Sequence, residues 1–131
     1  MNKKKFKKVL VVLGGVSGER AVSLASGKAC ILALKKKGYI VSKFDPKFKN
    51  LNLINKKNID VIFNALHGRD GEDGVAQSYF EYLKIPYTHS GVISSFNAMN
   101  KLISKEIFIE NNIKTPRFNL IKKTEFKIKG I

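Results

Sequence analysis

The sequence predicts an α/β fold with a parallel β-sheet and helices on both faces. Short apolar runs of strand length alternate with segments of helical periodicity, an order that calls for parallel strands joined by crossover helices. Glycine-containing polar loops follow the first and third of these runs. Because open α/β folds bind ligands at the carboxyl ends of their strands, we expect the functional site along that edge.

The first strand and the first helix carry the clearest signals. Residues 9–13 are all apolar and are followed by two glycines, which is typical of a strand buried on both faces. A helix is predicted over 18–37, with Ser17 as its cap and Gly38 at its C-terminal end. Its apolar stripe is predicted to comprise Val22, Leu24, Ala25, Ala29, Leu32 and Ala33.

The next segment contains two further strands. A strand over 39–44 is bounded by the turn signal Asp45-Pro46. Residues 47–58 are mostly polar and predict a loop with a turn or two of helix. A third strand is predicted over 59–66, where the apolar residues are nearly continuous.

A glycine-rich polar loop over 67–74 follows the third strand. Asp73 is predicted to cap the helix after it. A short fourth strand is predicted over 85–88, with proline at its edge or start, and a short helix includes 94–97. The apolar stripe of the helix after the loop is predicted to be Val75, Tyr79, Phe80 and Leu83.

The last part of the chain predicts the beginning of a second domain. Asn100 can cap a helix over 101–111, and 118–121 predicts a strand without partner elements nearby. We therefore expect an N-terminal α/β domain over 1–100 and the truncated start of another domain over 101–131.

The net charge of +15 raises the possibility of nucleic-acid binding. The cations are scattered, however, with 22 lysines and only three arginines, and no basic and aromatic pattern suited to base stacking recurs. A basic nucleic-acid-binding protein is therefore the weakest of the functional classes considered, and we expect no nucleic-acid partner.

Three features bear on the compartment. The basic N-terminus resembles the opening of a signal peptide, but its apolar run is shorter than the roughly seven to fifteen residues such a segment needs. No stretch approaches a membrane span of about twenty apolar residues. The single cysteine, Cys30, is expected to be a small buried residue. We expect a cytoplasmic protein without a membrane partner.

Two polar residues follow strands whose carboxyl ends meet at one edge if the first and third strands are neighbours. Glu19 lies at the start of the first helix, where the dipole favours a carboxylate able to hold an ammonium group. His67 directly follows the third strand and can hydrogen-bond a carboxylate. Each also has a purely structural interpretation. Together they suit a small zwitterion such as an amino acid.

Other chemistries receive less support from the residues. Glu72 and Asp73 are adjacent on a helix start without a third ligand, so capping is favoured over metal binding. Ser17 and Ser23 lack a histidine and an acid at a readable spacing for a hydrolase triad.

The loop after the first strand partly matches a dinucleotide-binding fingerprint. Gly15 and Gly18 fit its second and third glycines, but Leu13 replaces the first, and the candidate ribose acid, Asp45, comes late. A stand-alone Rossmann-like module that binds a dinucleotide or a small zwitterion is therefore the alternative hypothesis.

Several segments together resemble the D-alanine–D-alanine ligases, which belong to the ATP-grasp superfamily. Their order and spacing match the family over nearly the whole chain to about residue 121. The matching segments are GGVSGERAVSLASG (14–27), DVIFNALHGRDGEDGVAQ (60–77), IPYTHSGVISSFNAMNK (85–101), and SK at 104–105 leading to IKTPRF (113–118).

This resemblance implies a Rossmann-like N-terminal domain, here followed by the start of the ATP-grasp central domain. It implies that ATP and Mg²⁺ support the joining of two D-alanines through an acyl phosphate, for peptidoglycan synthesis, in an enzyme that is a homodimer when complete. Glu19 matches the catalytic-site glutamate that holds the ammonium of the first D-alanine. Val22 matches a residue near its methyl group, His67 the residue facing its carboxylate, and Lys101 a lysine that contacts ATP phosphates. No metal ligand is assigned within this chain, and the chain alone is expected to be inactive.

The sequence departs from the family pattern at four positions within or directly beside the matching segments. Ala21 replaces a usual acidic residue, and Asn100 replaces a usual aspartate while keeping the ability to cap. Ser78 and His89 replace usual glycines, and His89 affects the expected backbone conformation of its loop.

Overall fold

The computed structural model describes residues 6–121, and the basic segment 122–131 lies outside the described residues. Three strands, two 3₁₀ turns and four α-helices follow in the predicted order within this range. These elements are β1 (Lys8–Val12), α1 (Arg20–Lys36), β2 (Ile40–Phe44), 3₁₀ turns at Leu51–Leu53 and Lys56–Asn58, β3 (Val61–Asn64), α2 (Val75–Tyr82), α3 (Val92–Met99) and α4 (Lys101–Glu110).

The sheet is parallel with the order β2-β1-β3, so the first and third strands are neighbours. The short fourth strand predicted over 85–88 is reduced to a single parallel bridge between Ile62 and Tyr87, next to β3. Ile62 donates its N–H to the Pro86 carbonyl at 2.8 Å, and Thr88 donates to the Ile62 carbonyl at 3.0 Å. Pro86 has no N–H, so it cannot donate a further ladder hydrogen bond to β3.

The strand predicted over 118–121 is also absent from the structure of the described residues. No strand of the sheet pairs with this segment, because the sheet of the described residues contains only β2, β1 and β3. An apolar segment without a hydrogen-bonding partner does not form a stable strand, so its composition alone was an insufficient signal.

Helices cover both faces of the sheet, as predicted, because β1 alternates its side chains between two cores. Leu10 and Val12 pack with Phe80 of α2 on one face, while Val9 and Val11 pack with the α1 side on the other. Residues 9–13 are all buried, which confirms the prediction for the first strand. This central position explains why the buried part of β1, residues 9–12, is entirely apolar, whereas Lys8 at its start is exposed.

The predicted apolar stripe of α1 is confirmed only at Leu24, which packs against the core. Its other members are exposed, with Val22 at 54% and Leu32 at 69%. Besides Leu24, the helix packs through Ile31 and Leu34, with Ser23 and Gly27 buried, and Cys30 is only half-buried. A Cβ on Gly27 would lie 2.7 Å from Leu13 Cβ, so the helix contacts β1 through its smallest residue. An apolar count overlooks such contacts because glycine and serine score as neutral or polar.

The C-terminal end of α1 agrees with the prediction. Gly38 adopts φ +79°, its N–H donates to the Lys35 carbonyl, and the N–H of Tyr39 donates to the Leu34 carbonyl. These two bonds form a Schellman motif, in which glycine adopts the left-handed conformation without a Cβ penalty. Lys84 occupies the equivalent position after α2 with φ +53°.

Two further helix starts were predicted, with different outcomes. The Asn100 side chain accepts hydrogen bonds from the N–H groups of Leu102 and Ile103, which confirms it as the cap of α4. The cap residue of α2 is Gly74 rather than Asp73, although Asp73 still accepts from the N–H of Val75 at 3.2 Å.

The packing face of α2 is partly as predicted. Phe80 is fully buried, and Tyr79 and Leu83 pack against the same core. Val75 is exposed instead, while Ala76 and Gln77 are buried. The buried face therefore includes a polar residue that the apolar pattern did not identify.

Candidate functional site

The loop between β1 and α1 is anchored to the end of β3 by Ser23. Its Oγ accepts a hydrogen bond from the N–H of Gly14 at 2.7 Å and donates to the Ala65 carbonyl at 2.6 Å. Both bonds are buried. This single hydroxyl therefore ties the carboxyl ends of the two neighbouring strands to the same helix.

Arg20 and Asp45 join this loop to the end of β2. The guanidinium contacts both carboxylate oxygens, at 3.0 and 2.8 Å, and also donates to the Gly15 carbonyl at 2.8 Å. The two side chains are 24% and 20% exposed. Bidentate geometry and partial burial make this a stronger ion pair than an exposed one.

The pKa of the Asp45 carboxyl reflects these contacts. Partial burial would raise the pKa, but the Arg20 guanidinium and the N–H groups of Lys47 and Gly15 lower it below its usual value. Both oxygens of the Asp45 carboxylate are therefore already engaged in hydrogen bonds within the protein. The carboxylate is not free to bind a ribose, which removes the acid on which the dinucleotide alternative depended.

Glu19 directly precedes α1 and serves as its N-cap residue without a side-chain capping bond. The prediction that Ser17 caps this helix is wrong in position, since α1 begins at Arg20. The Ser17 hydroxyl instead accepts from the N–H of Glu19 at 3.2 Å and donates to the His67 carbonyl at 2.7 Å. It therefore links the two predicted site residues through their backbones.

The Glu19 carboxylate lies over Gly68, beside His67. A Cβ built on Gly68 would be 2.8 Å from Glu19 Oε1. Gly68 has φ +69°, which also favours glycine at this position. The structure thus brings Glu19 and the backbone after β3 to one crevice, as the sequence predicts for neighbouring first and third strands.

The His67 imidazole lies between two oxygen atoms. Its Nε2 is 3.1 Å from Ser26 Oγ, and its Nδ1 is 3.4 Å from Glu72 Oε1. The other oxygen of Glu72 accepts from the N–H of Gly68 at 3.0 Å. The capping role predicted for Glu72 is therefore wrong, because its carboxylate turns back to the histidine and the loop.

Val22 and Lys101 lie farther from the centre of the site than Glu19 and His67 do. Val22 is exposed, one turn after Glu19, and its carbonyl accepts from the Ser26 hydroxyl at 2.9 Å, so it borders the same crevice. Lys101 is exposed at the first position of α4, a helix that packs against α3. No contact of the described residues brings Lys101 to Glu19 or His67.

Several supporting residues were missed from the sequence. Ser26 and Glu72 hold the imidazole, and Arg20 and Asp45 hold the loop. A helical spacing of seven residues puts position 26 on the face of position 19, which could have indicated Ser26. The pairing of positions 20 and 45 joins distant segments and had no local signal.

His89 adopts φ +88°, a left-handed conformation that favours glycine. Its Nδ1 lies 3.3 Å from Nδ2 of the buried Asn64. Within residues 6–121, no group of three or more His, Cys, Asp or Glu side chains could hold a metal ion, and no helix is long and apolar enough to cross a membrane.

Comparison with known proteins identifies similar sequences. A family model described as the D-ala D-ala ligase N-terminus matches residues 41–90. The D-alanine–D-alanine ligase of Pelagibacter ubique is 54% identical over 117 residues, covering 86% of this chain and 37% of that protein. The enzyme of Aromatoleum aromaticum is 46% identical, with coverages of 89% and 38%. The chain thus spans less than two-fifths of the length of these relatives.

Solved structures agree with this similarity. The D-alanine–D-alanine ligase of Bacillus anthracis complexed with ATP matches with a TM-score of 0.79 and 38% identity, covering 93% of this chain and 40% of that one. D-alanyl-alanine synthetase A from Vibrio cholerae matches with a TM-score of 0.72 and 26% identity, covering 85% and 39%.

Proposed function

Because the chain belongs to the D-alanine–D-alanine ligase family, as a match to its N-terminal region, we propose that it supplies the binding site for the first D-alanine. The activity of the whole protein is then the ATP-dependent joining of two D-alanines for peptidoglycan synthesis. The observation that carries the proposal is the Glu19 carboxylate beside His67 at the carboxyl ends of β1 and β3.

The proposed roles follow from charge and position. The exposed Glu19 carboxylate holds the ammonium group of D-alanine, close to the positive end of the α1 dipole. His67 takes the carboxylate by exchanging its Ser26 contact for the ligand, while Glu72 keeps the other ring nitrogen. Val22 borders the methyl group. Held at both ends, the amino acid presents its carboxylate in one orientation.

The cofactors enter this proposal to different extents. ATP supplies the phosphoryl group that activates the first D-alanine, and an exposed lysine such as Lys101 suits a phosphate contact. The described residues do not fit Mg²⁺, since they include no cluster of three or more potential ligands.

The domain division is also a proposal. Asn100 caps α4 at Lys101, which supports a boundary between a domain at 1–100 and the start of another at 101–131. By family resemblance, we further propose a homodimer for the complete enzyme and a cytoplasmic location. Sedimentation velocity of the longest product of the gene tests the dimer.

Titration of the purified chain with D-alanine, followed by calorimetry, tests the substrate site. Glu19→Gln removes the charge but keeps the size, so we expect binding to weaken about tenfold or more through loss of a charge-assisted hydrogen bond. Glu106→Gln, at an exposed position of α4, is the matched control and should bind like the wild type. Equal affinity of Glu19→Gln and the control would contradict the role of Glu19. Absence of binding by the wild type would contradict a site complete in this chain.

A further inference from the structure

One carbonyl group in the loop after β3 receives two buried side-chain donors. The Gly71 carbonyl accepts from Asn64 Nδ2 and from Gln77 Nε2, each at 2.9 Å. Asn64 is 1% exposed and Gln77 is 0% exposed. One amide comes from the end of β3 and the other from α2, so the carbonyl is clamped between the two elements that flank the loop.

Chemistry determines the orientation of both amides. The Gln77 amide must direct its nitrogen at the Gly71 carbonyl, because its oxygen would face another acceptor there. Asn64 Oδ1 accepts from the N–H of Leu66 at 3.2 Å, which leaves Nδ2 for Gly71. The Gln77 oxygen is then buried without a hydrogen-bond partner in the described structure. Such an oxygen costs free energy, so the glutamine is not explained by stability alone.

The clamped residue, Gly71, directly affects the position of Glu72 in the proposed binding loop. Gly71 directly precedes Glu72, whose carboxylate contacts His67 Nδ1 and the N–H of Gly68. A Cβ on Gly71 would overlap Leu66 Cβ, so the backbone has no room to shift in that direction. The clamp and this close contact together fix the backbone position from which the Glu72 side chain extends.

We propose that Gln77 and Asn64 are positioning residues that hold the loop 67–74, and through Glu72 the His67 imidazole, in the geometry that receives the carboxylate of the amino acid. This rests on the proposed function for its ligand. The geometric part concerns the protein without ligand. It can therefore be tested separately.

The test compares Gln77→Met with Ser95→Ala by nuclear magnetic resonance of the histidine rings in the ligand-free chain. Methionine keeps the length of glutamine and removes both the donor and the unpaired oxygen, so the protein should stay folded. Ser95→Ala removes the hydrogen bond of another buried residue, the partly buried bond from Ser95 Oγ to the Ser90 carbonyl, outside the loop. The chain has two histidines, and His89→Gln assigns the remaining signals to His67.

We expect Gln77→Met to shift the His67 ring signals and to weaken D-alanine binding about tenfold, by analogy with the groups that orient metal-binding histidines. Ser95→Ala should change neither. Unchanged His67 signals in folded Gln77→Met, or an equal change in Ser95→Ala, would overturn the proposal. If Gln77→Met does not fold, Asn64→Ala tests the other donor by the same criteria. If the wild type binds no D-alanine, the proposed site is not complete in this chain, while the ring signals still decide the clamp.

Discussion

Replacing Gly27 by alanine tests how α1 is held against the sheet. Gly27 lies inside α1, where helix propensity alone predicts that alanine stabilises the helix by about 1 kcal/mol. The structure instead predicts that alanine at this position destabilises the protein. The new Cβ would lie 2.7 Å from Leu13 Cβ and 3.0 Å from Leu13 Cδ1, well inside van der Waals contact.

The magnitude follows from which atoms collide. Leu13 Cβ is bonded directly to the backbone of a buried residue next to β1, so rotation of the side chain cannot move it away. The overpacking cost therefore falls at the upper end of the usual range, about 3 kcal/mol. Subtracting about 1 kcal/mol of helix propensity leaves a net loss of about 2 kcal/mol. For 131 residues this lowers the melting temperature by about 7 °C.

The assay is thermal unfolding followed by circular dichroism, with Gly18→Ala as the control. Nothing lies within 4 Å of a Cβ at Gly18, so the control should melt at the wild-type temperature or slightly above it. Because Glu19 precedes α1 directly, lifting the helix should also weaken D-alanine binding in Gly27→Ala. A Gly27→Ala variant that melts at or above the control would refute the close contact between helix and strand.

Two further predictions concern a helix end and the ion pair. Lys84→Gly should raise the melting temperature, because glycine adopts the left-handed conformation without the cost of about 1 kcal/mol that a residue with a Cβ incurs. Lys84→Ala, which keeps a Cβ, should change the melting temperature little. A decrease for Lys84→Gly would contradict the Schellman end of α2. The lowered pKa of Asp45 contributes stability above its unfolded pKa of about 4, and this contribution is lost as the pH falls through the folded pKa. Urea midpoints should therefore fall more steeply on acidification in the wild type than in Asp45→Asn, and equal slopes would exclude a role for the pair with Arg20.

Much of the candidate site could be anticipated because its residues follow strands. Glu19 ends the loop between β1 and α1, and His67 lies in the loop that follows Asn64, the last residue of β3. Parallel strands bring the carboxyl ends of β1 and β3 to one edge of the sheet. The support for His67 could not be anticipated to the same extent. Ser26 and Glu72 reach its two nitrogens from different elements, and their side-chain directions depend on how α1 packs on the sheet.

The sequence by itself determined the features that arise from neighbouring residues. The continuous apolar run at 9–13 specified a strand buried on both faces, Gly38 specified the end of α1, and Asn100 the start of α4. These signals are local because hydrogen bonding and backbone conformation at helix ends involve residues a few positions apart.

Only the tertiary structure decided what depends on distant residues. It selected the face of α1 that approaches β1 through Gly27, the pairing of Arg20 with Asp45, and the reduction of the fourth strand to one bridge at Tyr87. Close packing rewards complementary shape rather than apolar composition, so a glycine or a serine can line a contact that an apolar pattern assigns elsewhere. The same reason left Val22 exposed at the edge of the proposed D-alanine site.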